Sequence, residues 1–332
     1  MVPGFRHLPG QHCGSTAIRN LLAFHGVELS EEMALGLGAG PSFYYVVLDD
    51  QSPSRFTNGR VMRLEEQFLA LTGAPLRLDT FDGPEGSWAA ARQAVDRRRP
   101  ALLLTDLYHL DHYGSSARFP GHAVVLAGYD DEVAYLADTG FEELQTTRLE
   151  NLAAARHGDL PIAPLAGHMV TVPERAEVGD VRAAAPAAIA HAAEGMLAPD
   201  LGAYQGLPAL RRFAAEVAGW PETAPDWRWS ARFCHQVIER RGTGGGNFRR
   251  MYSRFLDEVA AACLAPVAGG AELAAEAAER WSALAAALLA ASELDDPGPE
   301  LRAAVEEAAG GVLEAEERLW PALAGAIGTA SS

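Results

Sequence analysis

The chain contains no lysine, so all 27 of its basic residues are arginine. That absence removes a lysine Schiff base and a Ser-Lys pair from the available chemistries. Cysteine is scarce as well: Cys13, Cys234 and Cys263 are odd in number and match no zinc-ligand spacing. Neither a disulfide framework nor a structural metal is therefore expected. No uncharged apolar run reaches the ~18 residues of a membrane span, and Trp281 to Ala291 reads as a core helix. Met1 to Gly10 carries Arg6, His7 and two prolines and does not read as a secretory signal, so the expected location is the cytoplasm. Positive charge is in short supply too, with a formal net charge of −17. That balance argues against nucleic acid or an anionic membrane surface as partner. It suits a neutral or cationic small molecule, or a protein meeting a local basic cluster.

What is present is ordinary core-forming material: 332 residues, 48% of them hydrophobic, enough for about two domains. The first half mixes helix and strand patterns. Cys13 to His25 places Ile18, Leu21, Leu22 and His25 on one helical face, with Gly26 as a stop. Ser30 to Met33 begins a second helix, which Gly36 to Gly40 breaks. Phe43 to Leu48 reads as a strand, and Gly59 to Leu71 and Ser87 to Arg99 as amphipathic helices. Strands follow at Ala101 to Thr105, His122 to Tyr129 and Val133 to Asp138, the last two joined by a turn at Asp130-Asp131. Leu149 to His157 reads as helix and His168 to Val172 as strand. Beyond Pro173 the pattern is helical throughout, in segments at Leu207 to Ala218, Trp227 to Arg241, Asn247 to Ala265, Ala271 to Ala291 and Pro299 to Ile327. The expectation is an α+β protein with a mixed domain over 1–172 and an all-helical domain over 173–332.

Cys13 opens a predicted helix after the turn-rich stretch Leu8 to His12. Converging backbone N–H groups and the macrodipole favour an anion there, so the position suits a thiolate nucleophile. The alternative is a small buried hydrophobe, the ordinary fate of a free cysteine and the better reading for Cys234 and Cys263. His122 stands at the mouth of the strand HAVVLAGYD, and Asp138 follows it by sixteen residues. A tight hairpin near residue 130 brings the two side by side, so that Asp138 accepts the Nδ1–H of His122 and supports its imidazolium. Asp138 could instead cap the turn at Thr139-Gly140. For an oxyanion, the backbone N–H of Cys13 is the default donor and the side chain of Gln11 a second candidate. His12 is a candidate pocket residue. Asp106, Tyr108 and Tyr113 precede the loop that leads to His122, and Asp106 could hold a cationic amine or cap a loop. Phe43 and Tyr44 could wall a pocket or belong to the core. The remaining histidines, His112 included, read as surface or hydrogen-bonded core residues.

A helix-opening cysteine, a strand HAVVLAGYD and a returning strand that ends in Asp resemble the papain-like superfamily, which includes bacteriocin-processing peptidases. HCGSTAIRNLLAFHGVELSEEMALGLGAGPSF, then NGR at 58–60 and TDLYHLDHY at 105–113, resembles more narrowly the butirosin biosynthesis protein H family. FCHQVIERRGTGGGNFRRMYSRFL at 233–256 is similar to the helical domain that accompanies that module. The resemblance implies a papain-like first domain and acyl transfer in natural-product assembly. The family's namesake moves an aminoacyl group from the phosphopantetheine thioester of an acyl carrier protein to an amine of an aminoglycoside. By motif position, Cys13 would carry the acyl group, His122 would be the base and Asp138 its orienter. Papain-like proteases carry a glutamine about six residues before the cysteine, where this chain has His7.

The resemblance gives the glycine-rich segment a meaning to test. Arg240, Arg241, Gly244, Gly245, Asn247, Arg249 and Arg250 lie between two predicted helices and could bind the phosphate of a pantetheine arm or an acidic carrier protein. The alternative is close helix packing around glycine. No resident cofactor or metal is expected, phosphopantetheine being a co-substrate. The expected partners are an acyl carrier protein and a small amine acceptor, and self-association is left open. Two other functions compete: a peptidase or amidase using the same three residues with water as acceptor, and a non-catalytic binding module. A helical domain able to exclude water leans toward transfer.

Overall fold

The computed structural model describes residues 1–158, 164–267 and 269–330. The elements run α1 (Cys13–Phe24), α2 (Glu31–Leu37), β1 (Pro41–Val47), β2 (Arg55–Arg60), α3 (Leu64–Thr72), β3 (Arg77–Asp79) and α4 (Pro84–Asp96). Then come β4 (Ala101–Asp106), β5 (Pro120–Tyr129), β6 (Val133–Ala137), β7 (Gln145–Arg148), α5 (Leu149–Arg156) and β8 (Met169–Thr171). The remainder is helical: α6 (Ala185–Leu197), α7 (Gly206–Glu216), α8 (Trp220–Thr223), α9 (Trp227–Glu239), α10 (Arg249–Ala261), α11 (Gly270–Ser292) and α12 (Gly298–Ala330). The fold is α+β, with one unit that mixes sheet and helix and one that is largely helical.

The chain divides into two compact units, Met1–Ala34 with Thr72–Val181, and Leu35–Leu71 with Arg182–Ser332. This differs from a division at residue 172, because β1, β2 and most of α3 belong with the helices. The physical reason is the aromatic content of β1. Phe43 and Tyr45 are fully buried and pack against Phe213, Trp220 and Trp281 of the second unit. The segment expected as helix from Gly59 begins as strand, since Arg55–Arg60 pairs antiparallel with Pro41–Val47 and helix starts only at Leu64.

The first unit is built on a six-stranded antiparallel sheet in the order β3-β8-β4-β5-β6-β7. Leu103, Val124, Leu126 and Leu136 meet in its core, and α1 packs against β5. The β5–β6 hairpin turns at Asp130, whose carboxylate accepts from the backbone N–H groups of Glu132 and Val133. Leu126 pairs with Leu136 and Val125 with Ala137, so the open end of the hairpin carries His122 on one strand and Asp138 just past the other.

Candidate active site

Three segments of the first unit converge on one line of hydrogen bonds. Cys13 is the first residue of α1. His12 precedes it as N-cap, its ring Nδ1 accepting from the Ser15 backbone N–H at 3.3 Å. The preceding loop is held by Glu31, whose carboxylate accepts from the backbone N–H of Gln11 at 3.0 Å, from that of His12 at 2.6 Å and from the Ser15 hydroxyl at 3.2 Å. Gly10 leaves room for this clamp, since a Cβ there would stand 2.1 Å from Thr16 Oγ1 and 2.6 Å from Glu31 Oε2. The Gly10 N–H donates to the Thr139 carbonyl at 2.9 Å, tying the cysteine loop to the end of the Asp138 strand.

His122 lies in β5 opposite Thr105, whose hydroxyl donates to the His122 carbonyl at 2.9 Å. Its Nε2 meets both oxygens of Asp138, at 2.9 and 3.0 Å. The expected Nδ1 contact is thus replaced by Nε2, and the ring also interacts with the Cys13 side chain. Burial works against the His122 imidazolium. The Asp138 carboxylate and the Cys13 sulfur outweigh it, and the group is pushed up to about 10. Asp138 is fully buried. Burial alone would raise its pKa, but His122 and then His112 hold it well below the ordinary carboxylate range.

Tyr113 and His112, neighbours on the loop after β4, complete the cluster. The Tyr113 hydroxyl donates to Asp138 Oδ1 at 3.2 Å, stands 3.4 Å from His122 Nε2, and its ring meets His122 edge-on. Burial, Asp138 and Cys13 all push its phenol pKa up. His112, expected as a surface or hydrogen-bonded core residue, is hydrogen-bonded at the site itself, with Nε2 2.9 Å from Asp138 Oδ2. The only hint in the sequence was its position beside Tyr113 in a stretch already singled out.

Other expected site residues stand elsewhere. Asp106 is fully buried and already occupied: it accepts from Arg118 Nε at 2.5 Å and from the backbone N–H groups of Tyr108 and Phe119 at 3.1 and 2.9 Å. It organises the loop that carries Tyr113 and is not an open amine site. Tyr108 is exposed, with Arg118 stacked 5.3 Å over its ring. The Gln11 side chain is also exposed. Phe43 is core of the second unit. Tyr44 is half-buried and bridges Gln205, so neither packs in the unit that holds Cys13.

The glycine-rich segment is a packing device. Gly244, Gly245, Gly246, Asn247 and Phe248 all have positive φ, between 54° and 81°, a left-handed run that three glycines make affordable. Three of its N–H groups are already taken: Gly245 donates to Thr243 Oγ1, Gly246 to Glu239 Oε1 and Asn247 to the Ile238 carbonyl. A Cβ on Gly246 would stand 2.7 Å from Ala278. Arg249 is fully buried. Its Nε reaches Glu316 Oε1 at 2.7 Å and its Nη2 reaches Oε2 at 3.1 Å, while Nη1 donates to the Ser42, Gly59 and Asn247 carbonyls. Asn247 is buried, and Arg250 pairs with Glu279 at 2.9 Å. These corrections leave only Arg240 and Arg241 exposed, the latter bonded to Gln236 and lying over Phe233. Among the described residues there is no cluster of metal-ligating side chains, and no helix is long and apolar enough to cross a membrane.

Comparison with known proteins matches this architecture to two family models. Residues 12–139 match Butirosin biosynthesis protein H, N-terminal, and residues 150–323 match the Domain of unknown function (DUF4872). A crystal structure of a C39-like peptidase from Bacillus anthracis is similar over 53% of this chain and 96% of its own, at 16% identity and a TM-score of 0.35. No curated protein matches. The chain therefore belongs to the family of the DUF4872 domain, here joined to a Butirosin biosynthesis protein H, N-terminal, domain over residues 12–139.

Proposed function

We propose that the chain is a cysteine-dependent acyltransferase that takes an acyl or aminoacyl group from a carrier-protein phosphopantetheine thioester and passes it to an amine. The observation that carries this reading is the line from partly exposed Cys13 through buried His122 to buried Asp138. The match of residues 12–139 to Butirosin biosynthesis protein H, N-terminal, supports transfer over simple hydrolysis.

In the first half-reaction the Cys13 thiolate attacks the thioester carbonyl. The oxyanion develops near the Cys13 backbone N–H at the start of α1, a favourable end of the helix for negative charge. The C–S bond to pantetheine then breaks, and the His122 imidazolium gives its proton to the departing sulfur. In the second half, the amine attacks the Cys13 thioester, His122 removes the amine proton, and the Cys13 thiolate leaves. Asp138 stays ionised throughout and holds the ring. An acyl carrier protein is the proposed donor partner. Of the arginine cluster only Arg240 and Arg241 are exposed for an acidic surface.

The test is intact-protein mass spectrometry after mixing the protein with a panel of acyl-carrier and acyl-pantetheine thioesters. The expected result is a mass gain in wild type that an added amine discharges, and none in Cys13→Ala. Absence of any adduct, together with cleavage of peptide or amide substrates, would replace transfer with hydrolysis.

A further inference from the structure

The carboxylate behind His122 has more donors than an orienting role requires. Asp138 Oδ1 takes His122 Nε2 and the Tyr113 hydroxyl, and Oδ2 takes His122 Nε2 and His112 Nε2. His112 is itself fixed on its far side, with Nδ1 3.3 Å from Thr147 Oγ1. Thr147 is fully buried in β7 and pairs with Ala134 of β6, the strand that leads into Asp138. The Phe141 ring meets His112 edge-on at 5.2 Å and Tyr113 at 5.5 Å, closing the remaining side.

We propose that His112 is a positioning residue of the Cys13–His122 pair, holding the Asp138 carboxylate in line through its Nε2–H while Thr147 anchors its ring. An aspartate carboxyl turns readily about its last torsion. One donor shared between its two oxygens would leave that rotation loosely defined, whereas separate donors on Oδ1 and Oδ2 fix the plane. The N–H from His112 also stabilises the buried anion, so Asp138 stays ionised at pH values where it would otherwise take up a proton and release His122. The titratable groups facing the pair are Asp138, Tyr113 and His112, with Cys13 and His122 facing each other. The inference rests on Cys13 and His122 acting as an ion pair, and it holds whatever acyl group is carried.

The experiment follows alkylation of Cys13 by iodoacetamide against pH in the full chain, read by peptide mass spectrometry so that exposed Cys263 does not interfere. Thermal melting of each variant reports its fold. Wild type should react with a low-pH limb well below the ordinary thiol value of about 8.5. His112→Phe keeps a ring against Phe141 but removes the donor, and should move the limb up by about one pH unit or more, the worth of one hydrogen bond to a buried charge. His112→Gln puts an N–H where Nε2 stood and should restore the wild-type limb. Thr147→Val should shift the limb in the same direction by less, and serves if His112→Phe does not fold. A ring that only fills space predicts the reverse, with Phe tolerated and Gln not. A limb unmoved in both His112→Phe and Thr147→Val, or moved equally by Gln and Phe, overturns the proposal. An ordinary thiol profile in wild type overturns the ion pair and this inference with it. A depressed wild-type limb with no adduct from any thioester leaves the inference standing and rejects only acyl transfer.

Discussion

Glu316 of the second unit and Asp138 of the first are both fully buried among several donors, and they differ in where the network ends. Glu316 takes two nitrogens of Arg249 and the indole N–H groups of Trp281 and Trp320. The remaining donor of Arg249 goes to backbone carbonyls, and the guanidinium lies over both indole rings. Every strand of that network closes on the protein itself. Asp138 takes two histidines and a tyrosine, but the chain through His122 ends on Cys13, a sulfur that keeps partial exposure. A closed network is worth stability and specificity. An open end leaves a group with room for a further partner, which under the proposed function is the acyl donor.

The comparison can be broken at either side. The largest effect is expected from Asp138→Asn, which keeps the shape but removes the charge that supports the His122 imidazolium. Turnover should fall by roughly 10³–10⁴-fold, measured as single-turnover loading of Cys13, while the melting curve stays cooperative. At the closed network, Arg249→Ala strands the buried Glu316 carboxylate among its two indoles. Chemical denaturation should show about 3–5 kcal/mol of lost stability. If Arg249→Ala melts like wild type, the contrast between the two networks fails.

The smallest effect sharpens the comparison through pH. The His122 value rises on folding from 6.5 to about 10. Its contribution to stability is therefore full below about pH 6.5, declines as pH rises, and is gone above about pH 10. The Asp138 value is lowered on folding, so its contribution is full above 3.8 and is lost as pH falls through its depressed folded value. Both are complete between about pH 4 and about pH 6.5. The stability gap between wild type and His122→Gln should be widest there and close above about pH 10, as read from urea midpoints. A gap independent of pH would mean that the ring acts by packing alone.

Much of the site was legible because it is local. Cys13 follows a turn and opens a helix, and the seventeen residues from His122 to Asp138 form one hairpin closed by the turn at Asp130. What the sequence concealed depends on distant partners. Phe43 is indistinguishable from a pocket residue until Phe213 and Trp281 cover it, and Arg249 looks like an anion contact until Glu316 takes it. The short strands β2, β3 and β7 had the same problem, since their identity comes from pairing rather than from pattern. His112 was missed for a different reason: its partner was already assigned to His122, and nothing in spacing says that one aspartate serves two rings.

The clamp of Glu31 on the loop before Cys13, with the Gly10 tie to Thr139, has a consequence for temperature. The backbone that leads into Cys13 is fixed when the chain folds, so under the proposed function that loop has little conformational freedom left to lose as an acyl group bonds to the sulfur. Loading of Cys13 should accordingly have a small activation entropy, and warming should speed it chiefly through the enthalpy of carbonyl attack.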